Sequence, residues 1–499
     1  MSLLAFDIGS STCKAAVFAT TGEILARHSF SYSPESPRPS FAEMNPEKFW
    51  EAVCCCSRAV TKDLKDPVCA LGLSSHGETF VAVDSNGTPL TNAILNQDGR
   101  AIDESTWCEE AVGREAMFRL TGLFAHPMYP IPKILWLRKH EPRIFAASKS
   151  FLTVIGYVLQ KMGLRPFVDY SLASRFLAFD ILKRSWSDEI LQATELSRDC
   201  LPVPVAPGKI AGILNAQAAS HLGVAVGTPV VMGGHDQPCS ALGSGVIDSG
   251  RVSDSLGTYE CLLAASDAPN LNAKALRASL NSYCHVVPDK FVTLAYFPSG
   301  IMVQWFHDLL FASGPGETDH TIDHYADLEA HAPEGPTGLC VIPHLIGTCN
   351  PEFNPRARGL IAGLSAGTDR AQIYKGILEG LACELSIVAE VLAEAVGKFE
   401  HIYVTGGGTR SVLGLQLRAE LTGCHLHVMS EHEAVCLGTA ILAGVAVGEY
   451  ASIPQAIATL VKPGAVVHPS PTLSASYWDQ FNRYKELRSI LVTRARESS

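Results

Sequence analysis

The segment Asp7-Ile8-Gly9-Ser10-Ser11-Thr12 gathers one carboxylate, three hydroxyls and a run of backbone N–H groups into one short turn, with Lys14 just beyond it. Such parts can hold phosphate oxygens, and a carboxylate like Asp7 can hold a hydrated magnesium ion. The same residues also make an ordinary polar hairpin turn. Ser255-Leu256-Gly257-Thr258 is a second turn of this kind. Gly406-Gly407-Gly408 follows an apolar run and would let a ligand approach the backbone closely, or serve only as a loop. Asp236, after Gly233-Gly234-His235, sits where a carboxylate can act as a general base or cap the helix that begins there. Glu78 in Ser74-Ser75-His76-Gly77-Glu78-Thr79, and Asp98 with Arg100 in Asn96-Gln97-Asp98-Gly99-Arg100, offer charged groups to sugar hydroxyls, or occupy surface turns.

Two further patterns compete. Gly363-Leu364-Ser365-Ala366-Gly367 has the spacing of a serine-hydrolase nucleophile elbow, with His425, His427 and His432 downstream of it. His320 and His324, beside Asp319 and Asp323, have the i,i+4 spacing of a metal-binding pair in a polar stretch that equally reads as a solvated insert. A P-loop is absent, and so is the Gly-x-Gly-x-x-Gly fingerprint after the first strand.

These residues need elements to hold them. Residues 3–6, 15–18 and 24–32 are extended and separated by turns, which predicts a β-meander around the first polar turn. Residues 45–59 read as a helix with Pro46 at its start, 68–74 and 79–83 as strands, and 104–181 as mainly helical. Strand character returns at 228–232, before Asp236. Residues 251–255 and 259–265 then repeat the opening pattern of strand, hydroxyl turn and strand near mid-chain. A long helix is expected over 369–396, with Asp369 in its first turn near the positive end of the dipole. Two related halves, 1–246 and 247–499, predict a duplicated α/β design with a cleft between them.

The chain has 499 residues, 47% of them hydrophobic and 18% charged, enough apolar material to exclude a mostly disordered protein. At roughly 100–200 residues per domain, two to four domains are expected. A net charge of −11 with no basic block argues against a nucleic-acid partner. The 15 cysteines are odd in number, three of them consecutive (Cys54, Cys55, Cys56), and none at CxxC spacing, which suits a reducing cytoplasm better than a disulfide framework. No apolar stretch approaches the ~20 residues that span a bilayer, and no signal-like start is apparent, so a cytoplasmic protein without a membrane partner is expected.

The ordered set of motifs resembles the FGGY carbohydrate kinase family along essentially the whole chain. Asp7–Thr12 resembles its first phosphate loop, Asn96–Arg100 its tryptophan-x-Asp-x-Arg segment, and Gly234-His235-Asp236-Gln237 the segment holding its catalytic aspartate. Leu256-Gly257-Thr258 resembles its second phosphate loop. Pro343–Gly347 with Asn354–Gly359 is similar to its Pro-x-x-x-Gly…Asp-Pro-x-Ala-Arg-Gly stretch. Gly406–Gly408 with Ser411 and Gln416 resembles its adenosine loop, and Leu437–Ala443 its closing helix. The resemblance implies two ribonuclease H-like domains of the actin-like ATPase type, with ATP, Mg2+ and a small sugar or polyol meeting in the cleft. It assigns Asp236 as base, with Glu78, Gly77, Asp98, Arg100 and Gln237 at the sugar. Asp7 would hold the metal. Ser10, Ser11, Thr12, Lys14, Gly257, Thr258, Gly300, Gln304, Gly407, Gly408 and Ser411 would contact nucleotide. A homodimer is left open.

Asn96 replaces the family's usual tryptophan. Gly77 stands where glycerol kinases carry Arg and xylulokinases Met, while Glu78 matches the glycerol kinase residue. An open space at Gly77 is therefore expected, favouring a ketose such as xylulose or a four- to five-carbon polyol over glycerol. A serine hydrolase built on Ser365, or an actin-like ATPase that phosphorylates no sugar, are the alternatives.

Overall fold

Alternation along the first strands decides how the first lobe is layered. Leu4, Phe6, Ala15, Val17, Leu71 and Leu73 face one side and join a core with Phe49, Val53 and Cys56 of helix Glu47–Thr61. Leu3, Ala5, Ala16, Phe18, Ala70 and Val231 face the other side and meet Leu437, Ala440 and Ile441 of helix Ala434–Ala446. The period of two along each strand is what lets one sheet serve two apolar layers. The computed structural model that shows this describes residues 1–311, 323–430 and 433–497.

In the first sheet, Ser2–Ile8, Thr12–Ala19 and Ile24–Ser31 form an antiparallel meander. Val68–Ser75 lies parallel to Ser2–Ile8, and Pro229–His235 parallel to Val68–Ser75. The second sheet repeats this plan. Arg251–Leu256, Tyr259–Ser266 and Phe291–Pro298 make the meander, and His401–Thr405 and His425–Met429 are the parallel strands. The mid-chain repeat in the sequence is thus a repeat in topology: two ribonuclease H-like sheets, as in actin-like ATPases.

The lobes are not separate along the chain. Helix Ala434–Ala446 belongs by sequence to the second half but closes the first sheet. It crosses helix Asp236–Gly243 at backbone contact: a Cβ on Gly438 would lie 1.9 Å from the Cys239 carbonyl oxygen, and one on Gly243 would lie 1.9 Å from that of Ala434. Strand Asn281–Cys284, at the edge of the second sheet, also reaches back, since Ser282 N–H donates to the Gly122 carbonyl and Cys284 joins the first core.

Helix Arg370–Val396 is present, but Asp369 is its N-cap rather than part of its first turn. Asp369 accepts from the Gln372 N–H while the Gln372 side chain accepts from the Asp369 N–H, a reciprocal capping box. Buried Glu384 anchors this helix to the C-terminal helix through Arg488 and Tyr484. Burial alone would raise the Glu384 carboxyl, but Arg488 and His344 override it and hold it at about 2. Residues 104–181 are less helical than expected. Ser150–Thr153 is a strand because it pairs with Phe80–Val83, and Phe167–Asp169 is one because it pairs with Val203–Val205, partners that local pattern does not reveal.

Gly438→Ala puts a methyl group into a carbonyl oxygen, so the two helices must separate. Chemical denaturation is expected to show a loss of at least about 1–3 kcal/mol, the usual cost of overpacking.

Candidate active site

Parallel register brings the acceptor side together. Asp7 is opposite Ser74 and Ser74 opposite Gly234, while Ile8, Ser75 and His235 form the next row. Three parallel strands therefore end at one edge, where ligands of open α/β sheets bind. The segments leaving that edge carry Gly9–Thr12, His76–Glu78 and Asp236. Glu78 has φ 60°, unusual for a residue with a side chain and the kind of strain that clusters at functional sites.

Glu78 is buried against Arg175, whose Nε donates to its Oε1. Arg175 also donates to Asn281 Oδ1 at 3.0 Å, and the Tyr129 hydroxyl donates to the same oxygen at 2.8 Å. Tyr129 and Tyr283 flank the guanidinium at 5.2 and 4.9 Å. Burial by itself would raise the Glu78 carboxyl, but Arg175, with smaller help from His235 and Lys133, holds it below the usual range. Burial pulls the Lys133 ammonium down to about 7, although it donates to the carbonyls of Leu95 and Glu78.

Asp236 is the first residue of helix Asp236–Gly243, and the N-cap position is held by His235. Its Oδ1 accepts from the Gln237 N–H at 2.6 Å. The side chain keeps 23% exposure. Burial, then Asp7 and Glu78, raises its carboxyl well above the ordinary value, against the Gln237 N–H and Arg175. Burial likewise raises Asp7, to about 6, with Lys14 opposing and Glu433 assisting. Neighbouring His235 is pulled down to about 3 by burial, so its 3.2 Å approach to Asp236 is a contact of a neutral ring.

Other expected residues fall out differently. Asp98 and Arg100 are spent on each other and on Glu43, with Asp98 Oδ2 also accepting from the Ala42 N–H; they brace the wall of the lobe. The open space expected at Gly77 is not there. A Cβ on Gly77 would lie 3.0 Å from the His235 ring and 3.3 Å from Arg175 Cγ, so those two side chains already fill the room. Gln237 is half-buried beside Asp236. Asn96 keeps a buried Oδ1 with no hydrogen-bond partner among the described residues.

On the nucleotide side, a cavity of about 720 Å³ is lined by Gly257, Thr258, Gly300, Gln304, Gly407, Gly408 and Ser411. All seven are expected nucleotide residues, drawn from three separate segments. Gly300 is glycine for packing: a Cβ there would lie 2.4 Å from the Gly257 carbonyl oxygen. Ser411 caps helix Val412–Thr422 through the Gly414 N–H. Tyr325, Tyr374 and Arg418 also line the cavity, and sequence reasoning missed them. Arg418 pairs with Glu260, which accepts from Ser299 as well, so a buried network underlies the Leu256–Thr258 turn. A second, polar cavity of about 560 Å³ shares Gly407 and Arg410 with the first and includes Lys14, Arg27 and Glu433. Lys14 pairs with Glu433 at 3.1 Å. Ser10, Ser11 and Thr12 occupy the turn closed by the Gly9 N–H to the Thr12 carbonyl, next to these groups.

The competing patterns do not assemble. Ser365 is exposed, and its hydroxyl meets Thr368 and the Gly367 N–H, with no histidine among its partners in the described residues. His425 and His427 instead pair with His468 and His401. His320, Asp319 and His432 lie outside the described residues; His324 stacks on Phe311 and meets His307.

Comparison with known proteins gives the family. The models for the FGGY family of carbohydrate kinases match residues 2–243 (N-terminal domain) and 252–447 (C-terminal domain). A gluconokinase of Bacillus subtilis (strain 168) is 27% identical, covering 99% of this chain and 95% of its own. A xylulose kinase of Escherichia coli (strain K12) is 29% identical, covering 92% of each. The crystal structure of ligand-bound xylulose kinase from Lactobacillus acidophilus shares the fold with a TM-score of 0.90 at 24% identity, over 100% of both chains. The chain belongs to the FGGY family of carbohydrate kinases, phosphotransferases that move a phosphoryl group from ATP to an alcohol group of a sugar or polyol.

Proposed function

We propose that the acceptor is a small ketose or a four- to five-carbon polyol, and that Asp236 takes the proton from the hydroxyl that attacks ATP. The acceptor class is supported by the similarity to xylulose kinase rather than by Gly77, whose space is filled. The base assignment is carried by the Asp236 carboxyl at the shared strand edge, partly exposed and near the Glu78–Arg175 pair. A base with a raised pKa suits proton removal from an alcohol better than an ordinary carboxylate. Glu78, kept charged by Arg175, accepts hydrogen bonds from acceptor hydroxyls, and Gln237 offers an amide alongside.

The sequence boundary at 246/247 divides the labour, with acceptor, base and phosphate end before it and the rest of the nucleotide after it. Thr258, Gly257 and the Gly407–Gly408 turn take the nucleotide, and Lys14 with the Ser10–Thr12 turn takes the phosphate end. Asp7 fits a divalent cation. Its carboxyl has no hydrogen-bond partner among the described residues, and it shares a buried region with Asp236. Hard oxygen donors of this kind suit hydrated Mg2+, which supplies charge neutralisation to the phosphates when bound. Closure of the lobes excludes water from the transfer.

The fifteen cysteines, all free, suit a cytoplasmic setting. No helix among the described residues is long and apolar enough to cross a membrane.

The defining experiment measures ADP release across ketoses, alditols and aldonates, with mass spectrometry of the product. ADP release without any carbohydrate, or preference for glycerol over every four- and five-carbon candidate, contradicts the reading. Asp236→Asn is expected to lower kcat by about 10²–10⁴-fold, the range of a positioned general base, with much smaller changes in acceptor and ATP affinity. A Cβ at Gly407 meets nothing within 4 Å, so Gly407→Val is expected to fold normally and raise the KM for ATP. An unchanged ATP KM makes that turn structural only.

A further inference from the structure

His235 has no part in the proton transfer just described, yet three segments far apart in sequence are shaped around its ring. Gly77 leaves it room, since any Cβ at 77 would stand 3.0 Å from Cδ2 and Nε2. Tyr283, from the strand that the second sheet sends into the first lobe, places its hydroxyl 3.2 Å from Nδ1. Ser171 fixes the backbone by accepting from the His235 N–H at 2.9 Å, and Ser171 is itself held by Asp169. The ring is buried, and its Nε2 lies 3.2 Å from Asp236 Oδ1.

We propose that His235 is a positioning residue for Asp236, held by Tyr283 and accommodated by Gly77. This rests on the reading of Asp236 as the base. Tyr283 has one hydroxyl proton to give; with Nδ1 accepting that hydrogen bond, the neutral ring keeps its own proton on Nε2, the nitrogen that lies 3.2 Å from Oδ1. Oδ1 is then hydrogen-bonded to the Gln237 N–H and in polar contact with the His235 ring edge, which restricts the carboxylate plane. Oδ2 is left for the acceptor hydroxyl. Because Tyr283 arrives from the second sheet, seating of its strand on the first lobe is part of what aligns the base.

Steady-state kinetics of the full chain test this. His235→Leu keeps bulk and loses both ring nitrogens. It is expected to lower kcat about ten- to a hundredfold, the effect of misplacing a reacting group by about an ångström, while both KM values stay within about twofold of wild type. His235→Gln, which can return an N–H to Oδ1, is expected to recover part of that loss. Gly77→Ala is expected to lower kcat in the wild-type background and to have no further effect on His235→Gly, where the methyl group has room.

Wild-type kcat in folded His235→Leu overturns the proposal, and so does a loss confined to KM. An equal effect of Gly77→Ala in both backgrounds also overturns it, because the methyl group would then act through Arg175. Should the His235 variants not fold, Tyr283→Phe decides: a reduced kcat at constant KM supports the proposal and an unchanged kcat refutes it. A strong Asp236→Asn defect beside a silent His235→Leu refutes this proposal alone, whereas a silent Asp236→Asn refutes the base assignment beneath it.

Discussion

Asp236 is a largely buried carboxyl with two others, Asp7 and Glu78, within electrostatic reach of it. Burying like charges is unfavourable unless each is paired, protonated or bound to a cation. The structure resolves the three in different ways. Glu78 takes the Arg175 guanidinium and stays charged. Asp236 takes a backbone N–H and a raised affinity for its proton. Asp7 has Lys14 nearby, but Lys14 is itself engaged by Glu433, and the Asp7 carboxyl is raised to about 6 by burial. One crowded edge thus holds three carboxyl groups in three different electrostatic settings.

That edge depends on both lobes. The parallel register of the first sheet supplies the carboxyl groups, but Arg175 is steadied by Asn281, and the ring next to Asp236 by Tyr283, both on a strand of the second sheet. The aromatic contacts extend this seam, with Phe353 of the second half lying 5.1 Å from Phe124 and 5.7 Å from Tyr296, centroid to centroid. Phosphoryl transfer asks for alignment and a dry site more than for covalent chemistry. A site built across a seam can be assembled by movement of the lobes and opened again to release product.

Much of this was legible in the chain because it is local. The turns at Asp7–Thr12, Leu256–Thr258 and Gly406–Gly408 announce themselves through glycine and hydroxyl residues beside apolar runs, and the mid-chain repeat revealed the doubled sheet. Asp236 could be placed at a helix start from its glycines. Arg175 was missed, although a lone charge before the apolar run Phe176-Leu177-Ala178-Phe179 is the kind of signal that marks a buried ion pair. Asn281 and Tyr283 gave no local sign, since their role comes from a strand crossing between lobes. Asp98 and Arg100 looked exposed and chemical because nothing in their own segment shows Glu43 or the Ala42 N–H. The vacancy inferred at Gly77 failed for the same reason: a missing side chain says nothing about which distant one moves in.

The docking of helix Ala434–Ala446 on the first sheet also bears on how the protein is made. When a ribosome has completed the first sheet, Leu3, Ala5, Phe18, Ala70 and Val231 form an apolar face whose cover has not been synthesised. That helix begins about 190 residues after Val246, and at about 5–20 residues per second the wait is roughly 10–40 s. For that interval the nascent first lobe is a natural client for a chaperone that shields apolar surface. A fragment ending near residue 246 would carry the same bare face permanently, so the two halves, alike as they are in topology, are not interchangeable modules.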